Sequence, residues 1–214
     1  MATREPGRWH PAAAGAFALA VAAATARGPG RELDHRLYRS LNRDRGPFMD
    51  AFFRGVTELG SIWASAGAAT WLAVRGRRRE ALDAFGAAGA MWIVGQLLKR
   101  AVDRPRPYAE LPGVRLLIDR PRGTSWPSSH PAVLLAFCGV AGRDLPLGRG
   151  GRGVTRALTG AVGWSRVHLG VHYPADVVGG LLLGETVSRL WTGLVSPRLL
   201  GTSPSTPSAG TVTR

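Results

Sequence analysis

Three short clusters carry residues whose types and spacing suit chemistry on an anion. The densest is Ser165-Arg166-Val167-His168-Leu169-Gly170-Val171-His172-Tyr173-Pro174-Ala175-Asp176. It sets a guanidinium, an imidazole and a carboxylate within twelve residues. A histidine can act as a nucleophile or carry a proton near neutral pH, and a carboxylate can fix its tautomer. Arginine grips an oxyanion through forked, planar hydrogen bonds. The second cluster is Lys99 with Arg106-Pro107, and the third is Pro127-Ser128-Ser129-His130. Two cations on a proline-stiffened loop can converge on one anion, because proline ends a helix and holds the chain extended. A serine-led helix start adds hydroxyls and free amides. Taken together, these side chains are those of a site that removes a phosphoryl group.

His168, His172 and Asp176 also stand four residues apart, the interval of metal ligands on one helix. Gly170 and Pro174 oppose that reading, since proline within a helix costs about 3 kcal/mol. Pro174 more naturally opens a new helix, with Asp176 in its first turn where the dipole favours a carboxylate. No metal is expected, and His168 is expected to be a bystander.

The three clusters resemble the tripartite signature of the type-2 phosphatidic acid phosphatase superfamily, K-x6-R-P, P-S-G-H and S-R-x5-H-x3-D, in order and spacing. One position departs from it: Ser129 stands where glycine is usual. The resemblance implies an all-α integral membrane bundle of about six transmembrane helices with a haloperoxidase-like core. It implies that His172 attacks phosphorus and forms a phosphohistidine, that Asp176 orients His172, and that His130 protonates the leaving oxygen and then activates water. It further implies that Lys99, Arg106 and Arg166 hold the phosphoryl oxygens, with Ser128 and Ser129 assisting and no cofactor. The expected substrate is a lipid phosphate, with a polyprenyl diphosphate or phosphate ranked ahead of phosphatidic acid and phosphatidylglycerophosphate. The alternatives are an inactive membrane scaffold of the same fold and a vanadate-dependent haloperoxidase. The chain is short and apolar for the latter.

The elements that must position these residues are apolar but not strongly so. The 214 residues fit one compact unit, expected as a membrane-embedded domain over 1–195 and a disordered tail over 196–214. Mean hydropathy is near zero. An uncharged run at Pro11–Ala26 reads as a first membrane helix or a signal peptide, with Arg4, Arg8 and Trp9 before it. Its sixteen residues would rise only about 24 Å against a ~30 Å hydrocarbon core. Further apolar segments lie at 59–74, 84–98, 131–142, 157–164 and 177–194, the last crossed by a Glu185–Arg189 pair at i,i+4 spacing. Between the first and second segments, Leu33, Leu37, Tyr38 and Leu41 recur at helical spacing among charges. Phe48, Phe52, Phe53 and Val56 follow Gly46-Pro47. Both stretches read as surface-lying amphipathic helices.

Charge places the clusters on one side. Arg75, Arg77, Arg78 and Arg79 occupy one loop, and Arg143, Arg149, Arg152 and Arg156 another. The positive-inside rule makes both cytoplasmic. Counting crossings then puts all three clusters on the extracytoplasmic face of the cell membrane. The formal charge of +14 comes from 28 basic residues, of which Lys99 is the one lysine. Anionic lipids and phosphorylated substrates suit such a charge. Nucleic acid is excluded as a partner because the arginines are divided among loops and form no single stripe with aromatics. Cys138 stands alone in an apolar run, so no intrachain disulfide can form.

Overall fold

The structure is a computed structural model that describes residues 10–145 and 148–200. Arg4, Arg8 and Trp9 lie outside the described residues, as do 201–214 of the expected tail. The described residues form helices α1 (Pro11–Ala24), α2 (Gly28–Leu41), α3 (Pro47–Glu58), α4 (Ile62–Val74), α5 (Arg78–Val102), α6 (Pro107–Glu110), α7 (Ser129–Asp144), α8 (Arg149–His168), α9 (Pro174–Leu194) and α10 (Ser196–Leu200). The fold class is all-α, as expected. The first five residues of the expected tail are thus helical and pack on α5 and α9.

Proline and glycine mark the boundaries. Pro11, Pro47, Pro107 and Pro174 each open a helix, where the missing N–H is no loss. Gly170 turns the chain between α8 and α9 at a φ of 87°, and a Cβ there would come within 2.5 Å of the Arg115 carbonyl oxygen. His168 therefore ends one helix and Asp176 begins another.

α7 is central, packed between α5 and α9, with α4 outside α5 and α1 outside α9. The core is rich in alanine: Ala84, Ala87, Ala88, Ala132 and Ala136 are fully buried with Met91 and Val140. Small side chains let helix backbones approach closely, which replaces the missing hydrophobic drive when the outside is lipid. α1 buries Ala14, Ala18 and Ala22 at i,i+4 spacing. α9 carries glycines on the face toward α7. A Cβ on Gly180 would meet the Ser128 carbonyl oxygen at 2.3 Å, and one on Gly184 the Ala132 carbonyl oxygen at 2.6 Å.

The outside of the bundle is apolar. Trp63, Trp71, Val74, Leu82, Ile93 and Leu97 of α4 and α5 are exposed. An apolar exterior of this extent marks an interaction surface, and a bilayer is one. By length and composition one helical stretch, Arg78–Glu110, can cross a membrane, and α1 and α4 are shorter apolar helices. The expected count of about six spans is therefore not reached by this criterion. α8 is longer than its composition suggests. The helix runs for 20 residues where hydropathy marks only 157–164, because Arg149, Arg152 and Arg156 occupy its first two turns.

α2 presents its leucines outward, in keeping with a surface-lying amphipathic helix. Leu33 and Leu37 are exposed, and Asp34 and Tyr38 point inward. α3 likewise leaves Phe48 and Phe52 exposed and buries Phe53 and Thr57.

Candidate active site

The C-terminal end of α5, the N-terminal ends of α7 and α9 and the C-terminal end of α8 meet at one end of the bundle. Between them lies a cavity of about 350 Å³, lined by Lys99, Arg106, Arg122, Arg166, Ser129, His130 and His172. Ile62, Trp63, Trp92 and Val133 also line it. All three sequence clusters are thus brought together.

Each cation is held by uncharged groups, which leaves its charge uncancelled by a direct ion pair. Lys99 Nζ donates to the Thr124 carbonyl at 2.9 Å, and Thr124 Oγ1 returns a bond to the Lys99 carbonyl at 2.7 Å. Arg106 donates from Nε to the Gly123 carbonyl at 2.9 Å and from Nη1 to the Val171 carbonyl at 3.0 Å. Arg166 donates from Nη1 to Thr57 Oγ1 at 2.7 Å, and its Nε is buried without a hydrogen bond. No carboxylate lines the cavity.

The serines stand at the mouth of α7. Ser128 is the N-cap, but its side chain makes no capping bond, and the helix starts at Ser129, two residues before Pro131. The expected capping hydrogen bond is therefore absent. The Oγ atoms of Ser128 and Ser129 are buried and unbonded. Buried donors in this condition are suited to an anion that enters the cavity. Ser129 fits where glycine is usual because Gly95 faces it: a Cβ on Gly95 would lie 3.2 Å from Ser129 Oγ.

His172 leaves α8 through the Gly170 turn, with its backbone N–H bonded to the Arg166 carbonyl at 3.3 Å. It is 2% exposed. Its Nε2 lies 3.4 Å from Arg106 Nη1, on the cavity side. Burial, with Lys99, Arg106, Arg166 and His130 around it, holds its pKa well below the ordinary histidine range.

Asp176 is fully buried behind His172. The expected orienting bond is longer than a hydrogen bond, with His172 Nδ1 and Asp176 Oδ2 3.6 Å apart. The carboxylate is already occupied. It accepts from Ser125 Oγ at 2.5 Å, from the Tyr173 backbone N–H at 2.8 Å and from Arg104 Nη1 at 2.8 Å. Arg104 in turn donates from Nη2 to Asp34 at 2.6 Å and lies 4.3 Å over the Tyr173 ring.

Ser125, Arg104, Asp34 and Thr57 were not singled out by sequence reasoning. Arg104 carries a faint signal, as it precedes Arg106 in an Arg-Pro-Arg-Pro run. His168 is outside the cavity. It is fully buried and its Nε2 lies 2.9 Å from Asp50 Oδ1. Asp50 also pairs with Arg115, and Asn42 bridges this loop to the Val167 and His168 carbonyls at 3.2 and 2.9 Å. Among the described residues no three His, Cys, Asp or Glu side chains are grouped to hold a metal.

Residues 80–199 match the PAP2 superfamily. Decaprenylphosphoryl-5-phosphoribose phosphatase of Mycobacterium tuberculosis is 36% identical over 152 residues, covering 67% of this chain and 79% of that protein. Undecaprenyl-diphosphatase of Sulfolobus acidocaldarius is 29% identical over 112 residues, covering 52% of this chain and 51% of that protein. Among solved structures, the transmembrane PAP2 type phosphatidylglycerolphosphate phosphatase from Bacillus subtilis superposes with a TM-score of 0.72 at 24% identity, covering 87% of this chain and 96% of that one. Aquifex aeolicus LpxE superposes with a TM-score of 0.67 at 25% identity, covering 74% and 93%. The chain belongs to the PAP2 superfamily, and it is a phosphatase of that family.

Proposed function

We propose that this phosphatase hydrolyses a polyprenyl diphosphate or phosphate at the extracytoplasmic membrane surface, through a phosphohistidine on His172 and without a metal ion. The observation that carries the reading is the mixed lining of the cavity. Four cations, Lys99, Arg106, Arg122 and Arg166, and two histidines line it together with Ile62, Trp63, Trp92 and Val133. A headgroup phosphate suits the charged groups and the start of an apolar chain the apolar ones. Trp63 and Trp92 are exposed at the bundle surface, and aromatic side chains favour the membrane interface.

In this mechanism Lys99, Arg106 and Arg166 bind the non-bridging oxygens, with Ser128 and Ser129 donating from the α7 start. Phosphoryl transfer depends mainly on such positioning and charge stabilisation. His172 Nε2, on the side of Arg106, attacks phosphorus. The P–O bond to the leaving group breaks as His130 gives that oxygen its proton. The Nδ1–H of His172 faces Asp176, and closing the 3.6 Å gap by several tenths of an ångström would form the bond that stabilises the charged phosphoimidazole. His130, now a base, takes a proton from water as that water attacks phosphorus and the P–N bond breaks. With three cations on the phosphate and no carboxylate at the cavity wall, the divalent-ion role falls to Lys99, Arg106 and Arg166.

Six helices crossing the membrane would place the arginines of 75–79 and 143–156 on the cytoplasmic face and the cavity on the other. The prenyl preference follows the relatives, whose names specify decaprenyl- and undecaprenyl-linked phosphates. The test is phosphate release by the purified, detergent-solubilised protein over a panel of polyprenyl diphosphate, polyprenyl phosphate, phosphatidic acid and phosphatidylglycerophosphate. Polyprenyl substrates are expected to turn over fastest and His172→Ala to be inactive. Faster release from a glycerolipid phosphate would replace the substrate assignment, and turnover by His172→Ala would remove the nucleophile.

A further inference from the structure

We propose that Asp34 and Arg104 are positioning residues for the phosphoryl transfer, joining the interfacial helix α2 to the catalytic carboxylate. The inference rests on the reading of His172 as nucleophile. Asp34 lies on the inward face of α2 and is 3% exposed. One carboxylate oxygen accepts the Ala175 backbone N–H at 3.0 Å, in the first turn of α9. The other accepts from Arg104 Nη2 at 2.6 Å. Arg104 Nη1 donates to Asp176 at 2.8 Å. The guanidinium thus spans two buried carboxylates, and Tyr173 closes its face.

A buried aspartate on a surface helix is costly unless it is paired, and here its partners are Arg104, which also holds the Asp176 carboxylate, and the Ala175 N–H one residue before Asp176. The three charges sum to one negative charge. That sign suits a phosphoimidazole, which gains positive charge as His172 attacks. Arg104 shared between two carboxylates draws less on Asp176 than it would if it paired with Asp176 alone. Asp176 therefore remains a strong acceptor for His172 Nδ1–H. Its orientation is set by Arg104 and Ser125, one on each oxygen. A second tie runs beside the first. Tyr173 donates its hydroxyl to Glu110 at 2.8 Å, Glu110 pairs with Arg31 of α2, and His35 of α2 stacks on the Tyr173 ring. α2 is thus fixed to the segment that carries His172, and none of its residues lines the cavity.

Asp34→Asn removes the charge and keeps the shape. Arg104 then pairs with Asp176 alone, and the attack slows. Neither residue touches the phosphate, so the loss is expected in kcat with KM unchanged. Outer partners of a held histidine are typically worth roughly 10–100-fold, and a loss in that range is expected.

The experiment follows the pre-steady-state burst of phosphoenzyme formation from excess β-32P-labelled farnesyl diphosphate by the detergent-solubilised full chain. The burst amplitude counts active sites and the burst rate reads attack per site. Asp34→Asn is expected to slow the burst at least roughly tenfold, with KM within about twofold of wild type. Arg104→Lys keeps the charge but reaches one carboxylate, and is expected to act in the same way. Their losses are expected to be non-additive, since both break one chain. A variant that only loses folded protein would lower the amplitude and leave the rate per site unchanged. That result, a rise in KM at constant rate, or additive losses would overturn the proposal, and Arg104→Lys decides it if Asp34→Asn does not fold. His172→Ala is run alongside. If it turns over, the nucleophile assignment fails on its own account. If it is dead while Asp34→Asn reacts at the wild-type rate, the relay alone fails.

Discussion

Gly180→Ala is a one-carbon change that should disable the site without unfolding the protein. An alanine Cβ at 180 would lie 2.3 Å from the Ser128 carbonyl oxygen. Carbon makes ordinary contact with its neighbours at about 3.5 Å. The obstacle is backbone, so no side chain can rotate away. α9 must therefore retreat from the start of α7 by roughly 1 Å. The Ser128 N–H to Asp176 carbonyl hydrogen bond joins the same two backbones one turn earlier, at 3.0 Å, and such a displacement takes it beyond hydrogen-bonding range. Ser128, Ser129 and His130 ride on α7, while Asp176 rides on α9. The groups proposed to bind phosphate and to orient His172 thus move apart.

Overpacking of this size costs about 1–3 kcal/mol, less than the 5–15 kcal/mol that stabilises a typical fold. A lowered but cooperative thermal transition is expected, shifted by roughly 2–10 °C. Misplacing reacting groups by about 1 Å can cost ~100-fold in rate, so kcat should fall by about that factor. The assay is phosphate release from a polyprenyl diphosphate beside thermal unfolding in the same detergent. Gly89→Ala is the control, since its Cβ meets nothing within 4 Å. Wild-type turnover and melting for Gly180→Ala would refute the close-packing account.

Four further outcomes are expected. Arg166→Ala and Lys99→Ala should each lower kcat by roughly 10²–10³-fold in the same release assay, the usual loss of one transition-state donor. Addition of EDTA should leave turnover unchanged, and activity lost to EDTA and restored by a divalent ion would return the metal reading. Gly95→Ala should lower the rate by pressing on Ser129 Oγ, and Ser129→Gly in the same chain should recover it, as steady-state kinetics of the double mutant would show. The Arg115 hydrogen bond, against a smaller opposing effect of burial and with help from His168, holds the Asp50 pKa below the ordinary carboxylate value. Its folded pKa is depressed, so its stabilisation is present above the unfolded value near 3.9 and is lost as pH falls below it. Melting curves taken down through that range should fall less steeply for Asp50→Asn than for wild type.

The site was legible in the sequence where function needs local spacing. Lys99 and Arg106, Ser128 to His130, and Arg166 to Asp176 are each set by a helix end and a proline or glycine close by, and a linear motif records such an arrangement. Pro174 as a helix start and Glu185 paired with Arg189 were legible for the same reason, the latter bonded at 2.6 Å. The groups that hold these residues were not. Asp34 reaches Arg104 across 70 residues, Ser125 reaches Asp176 across 51, and Thr57 reaches Arg166 across 109. No short-range pattern encodes such pairs, and each partner alone resembles an ordinary surface or capping residue.

α2 carries the physical reason furthest. In water an amphipathic helix turns its apolar face inward, because that face must be buried. At a membrane interface the apolar face has a second acceptable environment, the lipid itself. Leu33 and Leu37 can then point out, which frees the opposite face to carry Asp34 and Tyr38 into the protein. The hydrophobic pattern of such a helix reports which side touches lipid, and its buried polar residues report what it does. α8 differs: Arg149, Arg152 and Arg156 hide the length of a helix whose far end carries Arg166 and His168. In α2 the polar residues that hydropathy counts against the segment are the ones that join it to the site.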